Sequence, residues 1–332
     1  MSADPGFRQL SQPIAEASPC GDDLEDTPML ASFDAFRLFG QVTAPEPAPD
    51  WGEIRAKSLE ALARSRDLRV LVHLAAAAIR TDGLAAFLNI LGVTAQWVEA
   101  YWDHLYPRLD EDALLRRNAL NCLADRVAII DALRRAPLLT HRQLGAVTLR
   151  DIDFATGQIT PGEGDGNLRD GAQIDAVFNN SPIADVIALR AALDEAVASV
   201  RRIETAMVSQ AGVEAAPTFE GLTTYLAKVQ RVVRERVSAH PDAGSLESQP
   251  GEAPANSGAS QSVGAIRSRQ DAIRALDAVS AYFRQNEPSS PVPLFLERAK
   301  RLVAKDFLAI LADVAPEAIT QAKLAGGIRD SE

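Results

Sequence analysis

The sequence predicts a mainly α-helical protein, and three observations support that fold class. Alanine and leucine dominate the 332 residues, while aromatic residues make up only 5%. Runs of strand-forming residues are rare. From Trp51 onward, apolar residues recur at spacings of three and four, which places them on one face of a helix. We expect a helical N-terminal domain with a minor hairpin excursion, a flexible Ser/Gly/Pro/Ala linker and a small helical C-terminal oligomerisation region.

The first 50 residues are rich in proline, aspartate and alanine, and they predict an irregular N-terminal segment. One short helix is expected within residues 29–39. Residues 18–24 read Ser-Pro-Cys-Gly-Asp-Asp-Leu, which is typical of a turn that presents carboxylates.

A helical domain is predicted over residues 51–237. Asp67 is suited to cap the helix that follows it. Gly83 favours a turn, and the apolar face that begins after it continues to Leu105. Pro107 is then expected to end this helix, which has the clearest periodicity in the sequence.

The second half of this domain changes character near residues 140–172, where the domain could divide into two subdomains. Residues 147–160 alternate between apolar and polar side chains, which predicts a hairpin or extended excursion that turns at Gly157. Further helices are expected over residues 115–133, over 174–211 with a break near Ser181-Pro182, and over 219–237.

A flexible linker is predicted over residues 238–266. Of the 27 residues from 238 to 264, 18 are Ser, Gly, Pro or Ala, and none is Lys or Arg. A flexible chain of this length spans roughly 25–30 Å. The segment is therefore expected to tether its two neighbours without fixing their arrangement.

Residues 267–332 predict a small helical region in which a sharp turn leads into an amphipathic helix. Ser290 can cap that helix, with Pro291 at its first position and Pro293 within its first turn. A unit of 66 residues is marginal as an isolated fold, and association between copies adds burial. In the alternative, the apolar face packs only against the preceding helix near residues 273–283. The expected assembly surface comprises Pro288, Ser289, Ser290, Pro291, Pro293, Leu294, Phe295, Arg298, Leu302 and Phe307.

The charge distribution narrows the classes of partner. Residues 1–237 carry 24 Lys/Arg against 33 Asp/Glu, a net charge of −9, whereas residues 267–332 carry 10 against 9, a net charge of +1. An acidic chain without a basic patch is a poor candidate for nucleic acid or anionic membranes. No apolar run reaches the roughly 18–20 residues that span a bilayer, and no signal peptide is evident. We expect a cytoplasmic protein that does not insert into membranes.

Catalytic, cofactor and metal signatures are missing from the sequence. Cys20 and Cys122 do not form a disulfide framework, which indicates a reducing compartment. The acidic residues 22–26 lack the spacing of a calcium loop, and the glycine-rich residues 162–171 lack that of a phosphate loop. No histidine belongs to an HExxH motif, and no GxSxG is present. An enzyme that uses the acidic residues or Cys20 remains an alternative hypothesis, as does a monomeric helical adaptor that binds an amphipathic helix in a groove.

Several segments, taken in order, resemble the TssA (ImpA-related) family of bacterial type VI secretion. The residues that carry the N-terminal resemblance are Pro19, Cys20, Gly21, Asp23, Leu24, Arg66, Asp67, Leu68, Trp102 and Pro107. They lie within Ser18 to Leu24, Ser65 to Val70 and Tyr101 to Pro107, followed by Arg117 to Leu120. Residues 287–299 match a C-terminal hallmark of the same family. The match includes both ends of the chain and extends over about two thirds of it.

The resemblance implies a non-enzymatic scaffold, without cofactors, located at the secretion apparatus. It implies contacts with baseplate, sheath, tube or membrane-complex proteins and a C-terminal region that forms a homo-oligomeric ring, as in the shorter members of the family. Such a protein organises the assembly of baseplate and tail. The sequence departs from the family pattern after Leu24, where Glu25-Asp26-Thr27-Pro28 replaces a Tyr-Asp-Pro-like continuation. The main alternative is a helical adaptor unrelated to secretion.

Overall fold

The computed structural model describes residues 5–109, 113–160, 168–243 and 291–303, with seven further positions between 273 and 284. The chain divides into two units, Met1–Pro250 and Gly251–Glu332. Both are helical where they are described, and the described residues contain one two-stranded sheet. The predicted mainly α fold with a minor hairpin is confirmed. Among the described helices, none has the length and apolar character needed to cross a membrane.

The first unit contains eleven α-helices and the hairpin among its described residues. The elements are α1 (Pro5–Leu10), α2 (Pro28–Asp34), α3 (Trp51–Leu62), α4 (Leu68–Thr81), α5 (Leu84–Ala100), α6 (Leu114–Asn121), α7 (Asp131–Arg135), β1 (Pro137–His141), β2 (Gly145–Thr148), α8 (Leu149–Ala155), α9 (Gly171–Asn180), α10 (Ile183–Ala211) and α11 (Glu220–Ala239). In the second unit, α12 covers Val292–Val303.

Helices α4 and α5 form the centre of the first unit. Asp67 caps α4 as predicted, with its carboxylate accepting a hydrogen bond from the Arg69 backbone N–H. Every residue from Val70 to Ile79 except His73 is buried, so α4 is covered on nearly all sides. Four consecutive alanines, residues 75–78, allow its neighbours to approach closely. Helices α3 and α5 pack against α4, and α10 packs between α5 and α11.

The helix predicted to reach Leu105 ends earlier, at Ala100. The chain turns at Tyr101, whose carbonyl accepts the backbone N–H groups of His104 and Leu105. Leu105 is still fully buried, which explains why its spacing fits the apolar face of α5. The apolar pattern therefore continues past the end of α5. The prediction that Pro107 ends this helix was wrong.

The single helix predicted over residues 115–133 is also wrong, because the chain is broken at Asp125. Helix α6 is followed by a 3₁₀ turn at Cys122–Ala124, a π-helical segment at Arg126–Ile130 and α7. Asp125 is extended, and its carboxylate accepts hydrogen bonds from the N–H groups of Val127 and Ala128. The same carboxylate accepts the N–H of Gly40 at 2.8 Å, which ties the N-terminal segment to this break.

The hairpin lies before the position that the alternation predicted. Strands β1 and β2 pair antiparallel, with His141 opposite Gly145 and Pro137 opposite Thr148. Half of the predicted hairpin is instead helix α8. Thr148 begins α8 through a capping box with Asp151, in which each side chain accepts the other's backbone N–H. Local capping therefore overrides the alternating pattern in this segment.

The predicted break near Ser181-Pro182 is confirmed, since α9 ends at Asn180 and α10 begins at Ile183. Helix α11 extends to Ala239, two residues into the predicted linker of 238–266. His240, which the sequence places in the linker, is buried and bonded through Nε2 to the Ser181 carbonyl at 3.0 Å. The rest of the linker, from residue 244, lies outside the described residues, so the domain boundaries stay predictions.

Replacing Asp125 by alanine is expected to destabilise the first unit by about 1–2 kcal/mol, because two N–H groups lose their cap. Urea unfolding followed by tryptophan fluorescence measures this change, since all three tryptophans lie in this unit. The exposed Asp103 provides the control, and Asp103→Ala is expected to change stability by less than about 0.5 kcal/mol. Equal effects of the two substitutions would contradict the role given to Asp125.

Candidate functional site

Two of the segments singled out in the sequence pair through their backbones. The N–H of Arg66 donates to the Cys20 carbonyl at 2.8 Å, and the N–H of Asp22 donates to the Arg64 carbonyl at 2.9 Å. Gly21 and Ser65 thereby form an antiparallel bridge. Chain segments more than 40 residues apart are joined as they would be in a sheet.

The third segment pairs with the other edge of the same strand-like stretch. The N–H of Leu68 donates to the Tyr106 carbonyl at 2.9 Å, and the N–H of Tyr106 donates to the Arg66 carbonyl at 3.1 Å. The Tyr106 hydroxyl donates to the Gly21 carbonyl at 3.2 Å, which connects the two outer segments. We call residues 20–24, 64–68 and 102–108 together the motif junction.

Gly21 is required at the motif junction because of its conformation and its surroundings. Its φ of +68° lies in the left-handed region, which side chains other than glycine rarely adopt. A Cβ at this position would lie 2.2 Å from the Arg64 carbonyl oxygen. That oxygen accepts the neighbouring ladder hydrogen bond, so it has little freedom to move.

Two buried arginines hold the motif junction to the surrounding chain. Arg66 donates to the carbonyls of Gln12 at 2.8 Å and Gln9 at 3.0 Å, and also to Leu62. Its guanidinium lies 5.4 Å from the centre of the Trp97 ring. Burial lowers the pKa of Arg66, an effect opposed by Cys20 and Tyr101.

Arg116 fixes the turn that follows α5. Its guanidinium donates to the carbonyls of Trp102 at 2.7 Å and Pro107 at 2.8 Å, and also to Leu105. It lies 4.9 Å from the centre of the Trp102 ring. These buried cations satisfy backbone carbonyls that no helix or strand satisfies, so their role is structural.

The acidic residues near the motif junction form ion pairs. Asp23 accepts from Arg108 at 2.7 Å, and Asp22 lies 3.5 Å from Arg64. Partial burial would raise the pKa of Asp23, but the hydrogen bonds from Arg108 and the Glu25 backbone lower it below its usual value. In the described part of the chain, no group of three or more His, Cys, Asp or Glu side chains is placed to hold a metal ion.

Cys20 does not have the properties of a reactive thiol. Its side chain is only 1% exposed. Burial raises its pKa to about 11, against the opposing charges of Arg66 and Arg116. The thiol is therefore protonated at neutral pH, whereas nucleophilic cysteines depend on the thiolate.

A groove that the sequence reasoning missed lies beside the motif junction. Its volume is about 680 Å³, and it is lined by α2, the first half of α4, α6 and residues 25–27. We call it the α2 groove. Residues 25–28, where the sequence departs from the family pattern, all line it. In the sequence, the only indication of the α2 groove is an acidic segment next to phenylalanines. The wall formed by α6 is far away in sequence and is brought there by the fold.

Comparisons with known proteins match this chain to one family. A family profile described as "ImpA, N-terminal, type VI secretion system" matches residues 11–125. The "Type VI secretion system component TssA1" of Pseudomonas aeruginosa is 30% identical over 336 aligned positions, which cover 93% of this chain and 94% of that protein. The chain belongs to the TssA family. It is thus a TssA-type component of the type VI secretion system.

A solved TssA structure supports the fold of the first unit. It is the N-terminal domain, including the conserved ImpA_N region, of the TssA component of the type VI secretion system from Burkholderia cenocepacia. The two are 26% identical with a TM-score of 0.55, and the match covers 73% of this chain and 96% of that structure. The profile match of residues 11–125 contains the whole motif junction and α2 groove.

The TssA motif residues predicted from the sequence meet in one place, and most of them are buried. Leu24, Asp67, Leu68, Trp102 and Pro107 are buried, like Cys20 and Arg66, whereas Pro19, Gly21 and Asp23 are partly exposed. The motif residues therefore build the junction.

The predicted assembly surface is described only in part. Pro288, Ser289, Ser290 and Phe307 lie outside the described residues, and Pro293, Arg298 and Leu302 are placed within α12 by their backbone alone. Helix α12 begins one residue later than predicted, and the exposed Pro291 precedes it and accepts the Leu294 N–H at 3.1 Å. Leu294 is 76% exposed and Phe295 is 68% exposed.

Replacing Gly21 by alanine is expected to destabilise the first unit by about 2–4 kcal/mol, since strain at positive φ adds to the collision with the Arg64 carbonyl. The matched control is Gly157→Ala, at a φ of +70° with nothing within 4 Å of the added Cβ. Urea unfolding of both variants separates the cost of strain at positive φ, which both share, from the cost of the collision, which only Gly21→Ala has. The idea of a close backbone approach fails if Gly157→Ala is equally destabilising.

Cys20 is expected to resist N-ethylmaleimide at pH 8 in the native protein and to react once the chain is unfolded. Peptide mass spectrometry with and without guanidinium checks this. Because folding raises its pKa from 9.0 to about 11, the stabilisation by the neutral thiol is complete below pH 9 and is lost as the pH rises through 11. Labelling of native Cys20 at the rate of a free cysteine would contradict this assignment.

Proposed function

We propose that this TssA-family protein is a non-enzymatic scaffold that assembles through its C-terminal region into a ring and holds baseplate, sheath or tube proteins through its N-terminal unit. Membership of the TssA family places it in the secretion system and argues against an adaptor unrelated to secretion. Of the residues considered for an enzyme, Cys20 is buried, and the carboxylates of residues 22, 23 and 25 pair with arginines.

The exposure of α12 is the observation that supports assembly most directly. Two large apolar side chains at successive positions, Leu294 and Phe295, are left largely in solvent. Burial of each contributes about 1.5–3 kcal/mol at an interface. The region from 267 to 332 carries a net charge of only +1, so repulsion between copies is weak.

Ring formation multiplies such weak contacts. Each copy in a ring meets two neighbours, and the N-terminal units are then displayed together on tethers. Multivalent display raises apparent affinity for a repetitive partner by about 10²–10⁴. A baseplate or sheath built from repeated subunits is a partner of this kind.

Size measurement by light scattering tests the proposal. The full chain is expected to form a large oligomer, and removal of residues 267–332 is expected to return a small species. The double substitution Leu294→Glu and Phe295→Glu is expected to weaken assembly by tenfold or more, because two apolar contacts are replaced by charges of like sign.

Val42→Glu is the matched control, since Val42 is 80% exposed in the first unit and undergoes the same chemical change. This variant is expected to retain the size of the parent protein. A monomeric full chain, or equal disruption by Val42→Glu, would refute assembly through α12.

A further inference from the structure

The α2 groove has an apolar interior that contains one partly exposed polar ring. The ring centres of Phe33 and Phe39 each lie 5.0 Å from that of His73. The Nδ1 atom of His73 is bonded to the Arg69 carbonyl at 2.8 Å, and burial lowers the pKa of the ring despite the nearby Asp34. From the other side, Leu115 on α6 is 47% exposed and lines the same space.

The rim of the α2 groove is acidic. Glu25, Asp26 and Asp34 line it and are exposed. Arg69 is the one Lys or Arg among its lining residues, and its guanidinium is already bonded to Asp67 and Glu25. Asp26 and Asp34 therefore add uncompensated negative charge at the entrance.

Asp34 occupies a position that folding alone does not favour. It is the last residue of α2, where a negative charge opposes the helix dipole, and α2 has no basic residue in its last turn. Residues 1–50, which contain α2, are acidic as a whole, with 2 Lys/Arg against 9 Asp/Glu. A cationic group placed in the entrance would relieve this repulsion.

We propose that the α2 groove binds a short amphipathic segment of another protein, which inserts apolar side chains between α2 and α6 and places lysine or arginine against Asp26 and Asp34. The volume of about 680 Å³ lies within the ~300–1,000 Å³ typical of ligand-enclosing sites, enough for several side chains and too small for a folded domain. Helix-in-groove recognition uses this combination of apolar anchors and rim charges.

The N-terminal unit of a second copy is a poor occupant on grounds of charge. Residues 1–237 carry a net charge of −9, so the groove of one copy repels the corresponding unit of another. The inference rests on the part of the proposed function in which the N-terminal unit holds a partner, and it is independent of assembly through α12.

Binding of designed peptides to the full chain tests the proposal. Two 18-residue helices share leucines at helical spacing and differ only in having lysine or glutamate at the polar positions. A third peptide has the lysine composition in scrambled order. Fluorescence anisotropy is expected to show binding of the lysine helix, and at least tenfold weaker binding of the glutamate helix and the scrambled peptide.

Native Cys122 reports on the location of the bound peptide. It lines the α2 groove and is partly exposed, whereas Cys20 is buried. Burial raises the pKa of Cys122 to about 11, so this thiol labels slowly at pH 8, and the lysine helix is expected to slow its labelling by maleimide a further severalfold. Binding without protection of Cys122 would place the peptide elsewhere and overturn the proposal.

Two groove variants and one control separate the charge from the apolar contacts. Asp34→Lys is expected to weaken binding of the lysine helix about tenfold while it stabilises α2, because the new charge suits the helix dipole. Ala31→Trp fills the groove from an exposed position and is expected to abolish binding. Glu235→Lys makes the same kind of charge change on the exposed surface of α11 and is expected to leave binding unaltered.

The outcomes distinguish this inference from the scaffold proposal. Equal affinity of Asp34→Lys and Glu235→Lys for the lysine helix would show general charge attraction and overturn the inference. A photo-crosslinker at residue 31 in the bacterium is expected to capture an apolar segment containing Lys or Arg, and capture of a second copy of this chain would also overturn it. A chain that binds the peptide but stays monomeric refutes only assembly, and one that assembles but ignores the peptide refutes only the groove.

Discussion

The pairing of residues 64–68 with chain segments on both sides is the constraint on which the first unit depends. One edge of this stretch binds residues 20–22, and the other edge binds Tyr106. The same stretch contains the cap of α4, so the start of the central helix and the position of the N-terminal segment are fixed together. Arg66 and Arg116 then satisfy carbonyls that the resulting turns leave exposed to the interior. The residues of the family motifs therefore hold the fold together at the motif junction.

The α2 groove follows from this junction. Leu24 is buried at the junction, and Thr27 caps α2 three residues later, which sets α2 against α4. The opposite wall comes from α6, whose start follows the turn fixed by Arg116. A rigid support beneath a surface groove lowers the entropic cost of binding, because the walls are already ordered. Residues 25–28 line this groove and lie outside the motif junction that supports it.

The sequence predicted the helices whose apolar periodicity and caps agree, and it failed where they conflict. The cap at Asp67 and the break before α10 were predicted correctly, because capping or proline chemistry coincides there with the apolar periodicity. Helix α5 was extended too far because Leu105 is buried without being helical. The α8 segment alternates like a strand, but the Thr148–Asp151 capping box decides its conformation. The junction and the groove depend on contacts between residues more than 30 positions apart, which no local pattern encodes.

The loop between Gly40 and Asp50 has both ends secured. The Gly40 N–H is bonded to Asp125, and Asp50 caps α3 through the Glu53 N–H at 3.0 Å. The residues between them are mostly exposed. Lengthening a loop whose ends are already held costs only about 0.6 kcal/mol for each doubling. This loop therefore offers a place to insert an epitope tag or a fluorescent protein, by which the molecule could be followed in living bacteria with its fold preserved.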